Sequence, residues 1–129
     1  MTTLNNTKIV EWILRIAVAG EFIGHGALAL QTKKSFIPLI TGWGFSQDFA
    51  IAVLPIIGAI DVLLAISVII KPMRGVLLWM TLWGFLTALA RPIAGEPIWD
   101  FIERWANWGA PLALFLLIGW PKTVKDLFK

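Results

Sequence analysis

The chain of 129 residues contains no cysteine, no tyrosine and only one histidine. Without cysteine it can form no disulfide, and it can hold neither a CxxC redox pair nor a thiolate metal site. A single histidine cannot ligate a haem from both sides within one chain. The sequence also has no HxxxH or ExxH spacing, no glycine-rich phosphate loop and no serine in a nucleophile context. We therefore predict no metal site and no hydrolase triad.

Charged residues are scarce as well. They make up 15% of the chain, and apolar residues make up 58%, against about 25% and roughly 45–50% in soluble domains. The mean hydropathy of +0.80 indicates that lipid is the surrounding solvent. Although the formal net charge is +3, the lysines and arginines lie mainly at the ends of apolar segments, where they set orientation in a membrane. We predict no nucleic-acid partner.

Four apolar segments each approach the length of about 20 residues that a helix needs to cross a bilayer. None of them alternates with a period of two, as a membrane-spanning strand would. The segments cover residues 8–30, 49–70, 73–91 and 97–120. We therefore predict an all-α, integral membrane four-helix bundle that forms a single domain over residues 1–129. Pro55 lacks an amide donor, so a kink is expected in the second helix.

The distribution of basic residues predicts the orientation of this bundle. An even number of spans puts both termini on one side, and that side holds most of the lysines. By the positive-inside rule both termini are cytoplasmic. The first apolar run is interrupted by Glu11 and Arg15, so we expect it to be retained and not removed as a signal peptide. The loop between the first two helices contains the apolar stretch FIPLITGWGF, which is expected to lie in the interface or to fold back over the bundle.

Polar residues form one stripe on the first helix and another on the fourth. At about 100° per residue, the ionisable groups of the first helix fall within an arc of about 120°. Those of the fourth helix, in GEPIWDFIERWANWGAPL, also share one face. The two stripes consist of Glu11, Arg15, Glu21 and His25, and of Asp100, Glu103, Arg104 and Asn107. Since ionisable groups are costly in hydrocarbon, both stripes are expected to turn inward and to form a polar site.

Counting depth from the midpoint of each segment, at about 1.5 Å per residue, gives specific pairs. His25 and Glu103 fall at the same depth, which predicts a hydrogen bond between them. Arg15 is long enough to reach Asp61, the one ionisable residue inside the second helix, which predicts an ion pair. We interpret the second pair mainly as structural and the first mainly as functional. Arg91 is expected to close the outer rim of the site, beside Glu96 or Asp100.

Two further patterns leave alternatives open. Gly20 and Gly24 form a GxxxG pair, which serves close helix packing within the bundle or in a dimer. Trp79 and Trp83 share one face of the third helix. They are interpreted as packing residues or as an aromatic wall for a flat ligand such as a quinone.

The motifs ILRIAVAGEFIGHG and IIGAIDVLLAISVIIKPMRG resemble those of the DoxX-like family of small four-helix membrane proteins. The residues that match the family pattern are Arg15, His25 and Asp61, although Asp61 stands where glutamate is usual. The stretch GEPIWDFIERWANWGAPL has no counterpart in that pattern. The resemblance implies a protein of the cell inner membrane that takes part in redox processes, with a quinone as one candidate cofactor and redox enzymes as partners.

The leading hypothesis is a polar intramembrane pocket, open to the outside, that binds a small ligand such as a quinone. In it His25 and Glu103 act as catalytic proton carriers, and the chain could be a subunit of a quinone-linked oxidoreductase. The predicted ligand-binding residues are Arg15, Glu21, Asp61, Arg91, Glu96, Asp100, Arg104 and Asn107. The alternatives are an accessory subunit of a larger membrane complex, or of a homodimer, and a proton or ion conduit. A conduit requires a continuous polar path to Glu11.

Overall fold

The structure, a computed structural model, describes residues 3–129, and it describes side chains from Asn5 onward. Met1 and Thr2, which the predicted domain includes, lie outside the described residues. Every regular element within residues 3–129 is helical. The helices are α1 (Thr3–Leu30), α2 (Ile37–Thr41), α3 (Gln47–Ile70), α4 (Arg74–Ile93), α5 (Ile98–Ile102) and α6 (Ala106–Ile118), with 3-10 turns at Lys34–Phe36 and Val124–Phe128. The all-α prediction is confirmed.

Three of these helices are long and apolar enough to cross a membrane. They are α1 from Asn5 onward, α3 and α4, and their bounds lie within five residues of the predicted ones. The ends of α3 follow from local chemistry. The Ser46 side chain accepts a hydrogen bond from the Phe49 amide at 3.1 Å and so caps the first turn. At the other end, the chain leaves the helix at Lys71, directly before Pro72.

The fourth predicted helix, 97–120, is wrong as a continuous element. The helix is interrupted at residues 103–105, which separate the short α5 from the 13-residue α6. Arg104 explains the break, because its guanidinium takes the Asp100 carbonyl at 2.8 Å, which an α-helix would offer to the Arg104 amide. That amide instead bonds the Phe101 carbonyl at 3.1 Å, one residue closer in sequence. The backbone therefore tightens into 3-10 geometry at this point.

The helices associate as two antiparallel pairs. α1 packs on α3, and α4 packs on α6; α1 also contacts α6, whereas α3 and α4 make little contact. Each pair crosses at a buried glycine. A Cβ on Gly58 would lie 2.5 Å from the Gly26 carbonyl oxygen, and one on Gly84 would collide with the Asn107 carbonyl. Since only glycine permits these backbones to approach so closely, the crossings fix the register of both pairs.

Arg74, at the start of α4, fastens the far end of the second pair. Its Nε donates to the Gly119 carbonyl at 2.6 Å and its Nη1 to the Lys129 carbonyl at 3.0 Å. The C-terminal tail therefore folds back against α4. Within that tail the Asp126 carboxylate accepts a hydrogen bond from the Lys122 amide at 2.8 Å, which closes a short capped turn.

The loop between α1 and α3 folds back over the bundle, which was one of its two expected placements. We call residues 34–45 the cap segment. Its short helix α2 contacts both α3 and α4, and Phe36 is buried against Ala29 and Leu54. Because α3 and α4 stand apart, the cap segment covers one end of the space between them.

Candidate ligand-binding cavity

A cavity of about 460 Å³ lies between α1, α3, α4 and the cap segment. It occupies the space left where α3 and α4 fail to pack. Its wall is mainly apolar, but it contains ionisable side chains from three helices. These are Glu21 and His25 of α1, Asp61 of α3 and Arg91 of α4. The structure thus brings four of the ten predicted site residues to one cavity.

The inner end of the cavity is acidic. Asp61 is buried, with only 5% of its surface exposed, and the Trp83 indole lies close enough to interact with its carboxylate. Glu21, on the facing helix, lies within electrostatic reach of Asp61. Trp83 stacks on Trp79 with ring centroids 5.7 Å apart, and only Trp83 lines the cavity. The aromatic-wall interpretation therefore applies to Trp83, and Trp79 buttresses it.

The outer end of the cavity is basic. The His25 ring stacks on Phe36 of the cap segment, with centroids 6.2 Å apart. The Arg91 guanidinium lies 5.8 Å from the same phenyl ring and 3.7 Å from the Glu96 carboxylate. This contact agrees with the prediction that Arg91 closes the rim beside Glu96. Arg91 Nε and Glu96 Oε2 are buried and have no hydrogen-bond partner among residues 5–129, so both groups retain bonding capacity.

The predicted ion pair between Arg15 and Asp61 is wrong. The Arg15 guanidinium instead donates to the carbonyls of Val68 and Ile69, where α3 ends. It also covers the Trp12 ring at 3.9 Å. Cations at the end of a helix stabilise its unsatisfied carbonyls and its dipole, and this is the role of Arg15. It lies outside the cavity.

The error in that pair comes from the depth arithmetic. Arg15 lies level with Val68, and Gly26 lies level with Gly58. Because α1 and α3 are antiparallel, the numbers of any two residues at the same height add up to the same value, which is about 84. The prediction places the midpoints of segments 8–30 and 49–70 at the same height, and the numbers of those midpoints add up to about 78. The true register is thus displaced by about five residues, or about 7 Å along the axis. The displacement arises because α1 projects beyond the end of α3 by its first turns.

The predicted hydrogen bond between His25 and Glu103 is wrong as well. The Glu103 side chain is 63% exposed, and its partner is Arg104 at 2.6 Å. His25, by contrast, lines the cavity. The break in the fourth segment explains the difference, because the tightened turn rotates Glu103 away from the bundle interior. The predicted pairing of the two polar stripes therefore fails at this point.

The other polar residues of the fourth segment also lie outside the cavity. Arg104 lies close enough to His25 to act on it electrostatically, but its guanidinium is used by Asp100 and Glu103. Asp100 contributes its carbonyl to that bond and its charge to the field around Arg91. Asn107 supplies the backbone carbonyl at the crossing with Gly84. These residues shape the helix break and α4, and they do not line the cavity.

Residues of the cap segment and of the start of α3 form a part of the wall that sequence reasoning missed. The aromatic ones are Phe36, Trp43, Phe45 and Phe49. The last three are 43%, 52% and 45% exposed, so they form the mouth of the cavity. The only sequence signal was the apolar character of FIPLITGWGF in a loop, which does not reveal where the loop docks.

A dry layer separates the cavity from the opposite end of the bundle. It lies between the level of Asp61 and the level of Arg15, and its members are fully buried. They are Val18, Ala65, Val68, Leu77, Met80, Leu114 and Phe115. A conduit would need a polar path from the cavity to Glu11, and this layer interrupts it.

Comparison of the chain with known protein families, curated proteins and solved structures found no match. The resemblance to the DoxX-like family stays a prediction.

Proposed function

We propose that the chain is a four-span integral membrane protein that binds a small lipophilic ligand in the cavity beneath the cap segment. The observation that carries this proposal is the cavity of about 460 Å³ with its apolar wall and its few polar groups. Ligand sites typically have volumes of about 300–1,000 Å³ and this composition. In a bilayer such a space, built from three helices, suits a molecule that partitions into lipid.

The fourth span of this proposal consists of α5 and α6 together. Contacts with α4 continue along the whole segment, from Arg74 with Gly119, through Gly84 with Asn107, to Phe85 with Phe101. The segment therefore runs antiparallel to α4 on both sides of its break. With four spans, both termini are on the cytoplasmic side of the cell inner membrane, and the cavity mouth faces outward.

A quinone is one ligand that the cavity could hold. Its flat ring would fit against Trp83 and Phe36, and His25 and Arg91 could donate hydrogen bonds to a carbonyl oxygen. In that case His25 would carry protons without Glu103, since Glu103 is directed elsewhere. The chain would then act as a quinone-binding subunit of an oxidoreductase.

The test is to block the cavity and to measure what remains bound. Val53 lines the cavity, whereas Ile51, on the same helix, is 43% exposed. The purified parent protein is extracted with organic solvent, and bound molecules are identified by mass spectrometry. We expect a bound lipophilic molecule to be absent from Val53→Trp and retained in Ile51→Trp. The proposal would be contradicted if both variants retained the bound molecule equally. It would also be contradicted if the parent protein neither carried a lipophilic molecule nor bound one that was added.

A second candidate function is that of an accessory subunit, and the GxxxG pair favours it. Gly20 and Gly24 are exposed, and a Cβ on either would meet no atom within 4 Å. The pair therefore does not serve packing within the bundle, which leaves association with a second helix, in a homodimer or a larger complex. Cross-linking in membranes should detect such a complex for the parent protein and lose it for Gly24→Leu.

A further inference from the structure

We infer that the ligand of this cavity is a lipophilic organic cation whose charged group lies between Glu21 and Asp61. The inference rests on the proposed ligand-binding function and narrows its ligand class. It starts from the acidic inner end of the cavity, the aromatic side chains at both ends of its wall and the arrangement of charge along the cavity.

Glu21 and Asp61 have no basic partner in the described part of the chain. Four ion pairs are present among residues 5–129, and neither carboxylate takes part in any of them. Asp61 lies within electrostatic reach of Glu21 and repels its charge. Asp61 has the Trp83 indole beside it, and a carboxylate can accept about four hydrogen bonds. Carboxylates in a membrane interior normally face a partner, and here the space that they share is the cavity.

Aromatic side chains stand at both ends of the cavity wall. Trp43, Phe45 and Phe49 surround the mouth, and Trp83 stands at the inner end beside Asp61. Aromatic faces attract organic cations, most strongly when the cation is removed from water. An ammonium or phosphonium group would therefore find aromatic contacts at the mouth and at the inner end, and its apolar substituents would contact the aliphatic wall between them.

The arrangement of charge fixes the direction of the ligand. Arg91 lies eight residues beyond Trp83 on α4, which corresponds to about 12 Å along the axis. Its charge faces Glu96 at 3.7 Å, so it is partly compensated. A ligand cation at the inner end thus meets two uncompensated carboxylates and stays well away from Arg91.

Other ligand classes fit the inner end less well. A metal ion would need several ligating side chains, and no group of three His, Asp or Glu residues is close enough within residues 3–129. A neutral quinone would gain no ionic contact from either carboxyl group. An anion would be repelled by them.

The inference is tested with two probes of nearly equal shape and opposite charge, tetraphenylphosphonium and tetraphenylborate. Each is titrated into the purified full-length protein in nanodiscs, and saturable binding is measured by equilibrium dialysis against empty nanodiscs. A short-chain ubiquinone serves as the neutral probe. The variants are Glu21→Gln and Asp61→Asn, which preserve side-chain shape. Glu11→Gln is the matched control, because Glu11 is half-buried on the same helix as Glu21 but lies outside the cavity, 3.9 Å from Arg15.

We expect saturable binding of tetraphenylphosphonium that is at least about tenfold tighter than that of tetraphenylborate. Glu21→Gln and Asp61→Asn should each weaken cation binding by at least about tenfold, and Glu11→Gln should leave it unchanged. Melting temperatures of the variants in the same nanodiscs verify that the fold is retained. Should a variant fail to fold, Val53→Trp takes its place and must abolish saturable cation binding.

The remaining outcomes separate the two proposals. If ubiquinone or tetraphenylborate binds saturably and the carboxylate variants leave all probes unaffected, the cation inference is overturned and ligand binding stands. If no probe binds saturably and the protein carries no extractable ligand, both are overturned.

Discussion

Replacing Gly58 by alanine tests the helix crossing that defines the α1–α3 pair. A Cβ at this position would lie 2.5 Å from the Gly26 carbonyl oxygen and 2.6 Å from the Leu30 amide nitrogen. Ordinary contacts between carbon and such atoms require about 3.5 Å. Both neighbours are backbone atoms, which cannot swing aside as a flexible side chain could. The two helices must therefore separate by about 1 Å along much of their contact.

Two opposing terms decide the size of the effect. Overpacking of this kind destabilises proteins by about 1–3 kcal/mol, and a backbone collision belongs at the upper end. Alanine is the better helix former by about 1 kcal/mol. The free energy of unfolding should therefore fall by about 2 kcal/mol. Gly24 is the matched control on the partner helix, since a Cβ there meets no atom within 4 Å. Gly24→Ala should leave stability unchanged or raise it by up to about 1 kcal/mol.

The measurement is reversible unfolding by SDS in mixed micelles, followed by far-ultraviolet circular dichroism. It is made at a protein concentration low enough to exclude self-association. The reasoning is refuted if Gly58→Ala is as stable as the parent protein. It is refuted as well if Gly24→Ala loses as much stability as Gly58→Ala.

Three further predictions concern the ends of the helices. Arg15→Met should destabilise the protein by about 1.5–3 kcal/mol, because two carbonyls at the end of α3 lose a charged donor. A double-mutant cycle of Arg15→Met with Asp61→Asn should give a coupling free energy below about 0.5 kcal/mol. A clearly larger value would mean that the two side chains do form an ion pair. Arg74→Lys should accelerate cleavage of the C-terminal tail by trypsin at Lys122, because lysine cannot hold both the tail and the end of α6; unchanged cleavage would contradict this role. Hydrogen bonds from backbone amides, chiefly that of Lys122, lower the pKa of Asp126 from its ordinary value. The turn should therefore be fully stabilised above about pH 3.9 and should loosen as the pH falls below that value. The NMR chemical shift of the Lys122 amide measures this change. Asp126→Asn is the control, because asparagine does not titrate.

The helices themselves were largely predictable from the sequence. α3 ends where Lys71 interrupts a long apolar run, and α4 ends one residue after Pro92, so hydropathy and local chemistry place both ends within two residues. α1 begins earlier than predicted, at Thr3 in place of Lys8. The additional residues are mostly polar, and a hydropathy argument does not register a helix that continues outside hydrocarbon.

The candidate site was predictable only where the backbone is regular. On the continuous α1, angular positions correctly turned Glu21 and His25 inward. On the fourth segment the same argument failed, because the Arg104 side chain competes for a backbone carbonyl and changes the helical phase. Depth failed for a different reason, since the relative height of two helices is set by the Gly26–Gly58 crossing and not by the centre of each apolar run.

The cavity itself could not be derived from sequence patterns. It exists because α3 and α4, which are neighbours in sequence, do not pack together, and because the cap segment docks over the space between them. Both facts depend on contacts between distant parts of the chain, and a periodicity within one segment contains no information about them.

The weak contact between α3 and α4 gives the molecule a direction of easy deformation. Each antiparallel pair is locked at a glycine crossing, whereas the seam between the pairs is bridged by the turn at residues 71–73 and by the cap segment. Rotation of one pair against the other about the α1–α6 contact would widen or narrow this seam while both crossings stay intact. Because the dry layer contains side chains of both α3 and α4, this movement would be largest at the cavity end of the seam, where it would let the cavity admit ligands of different width.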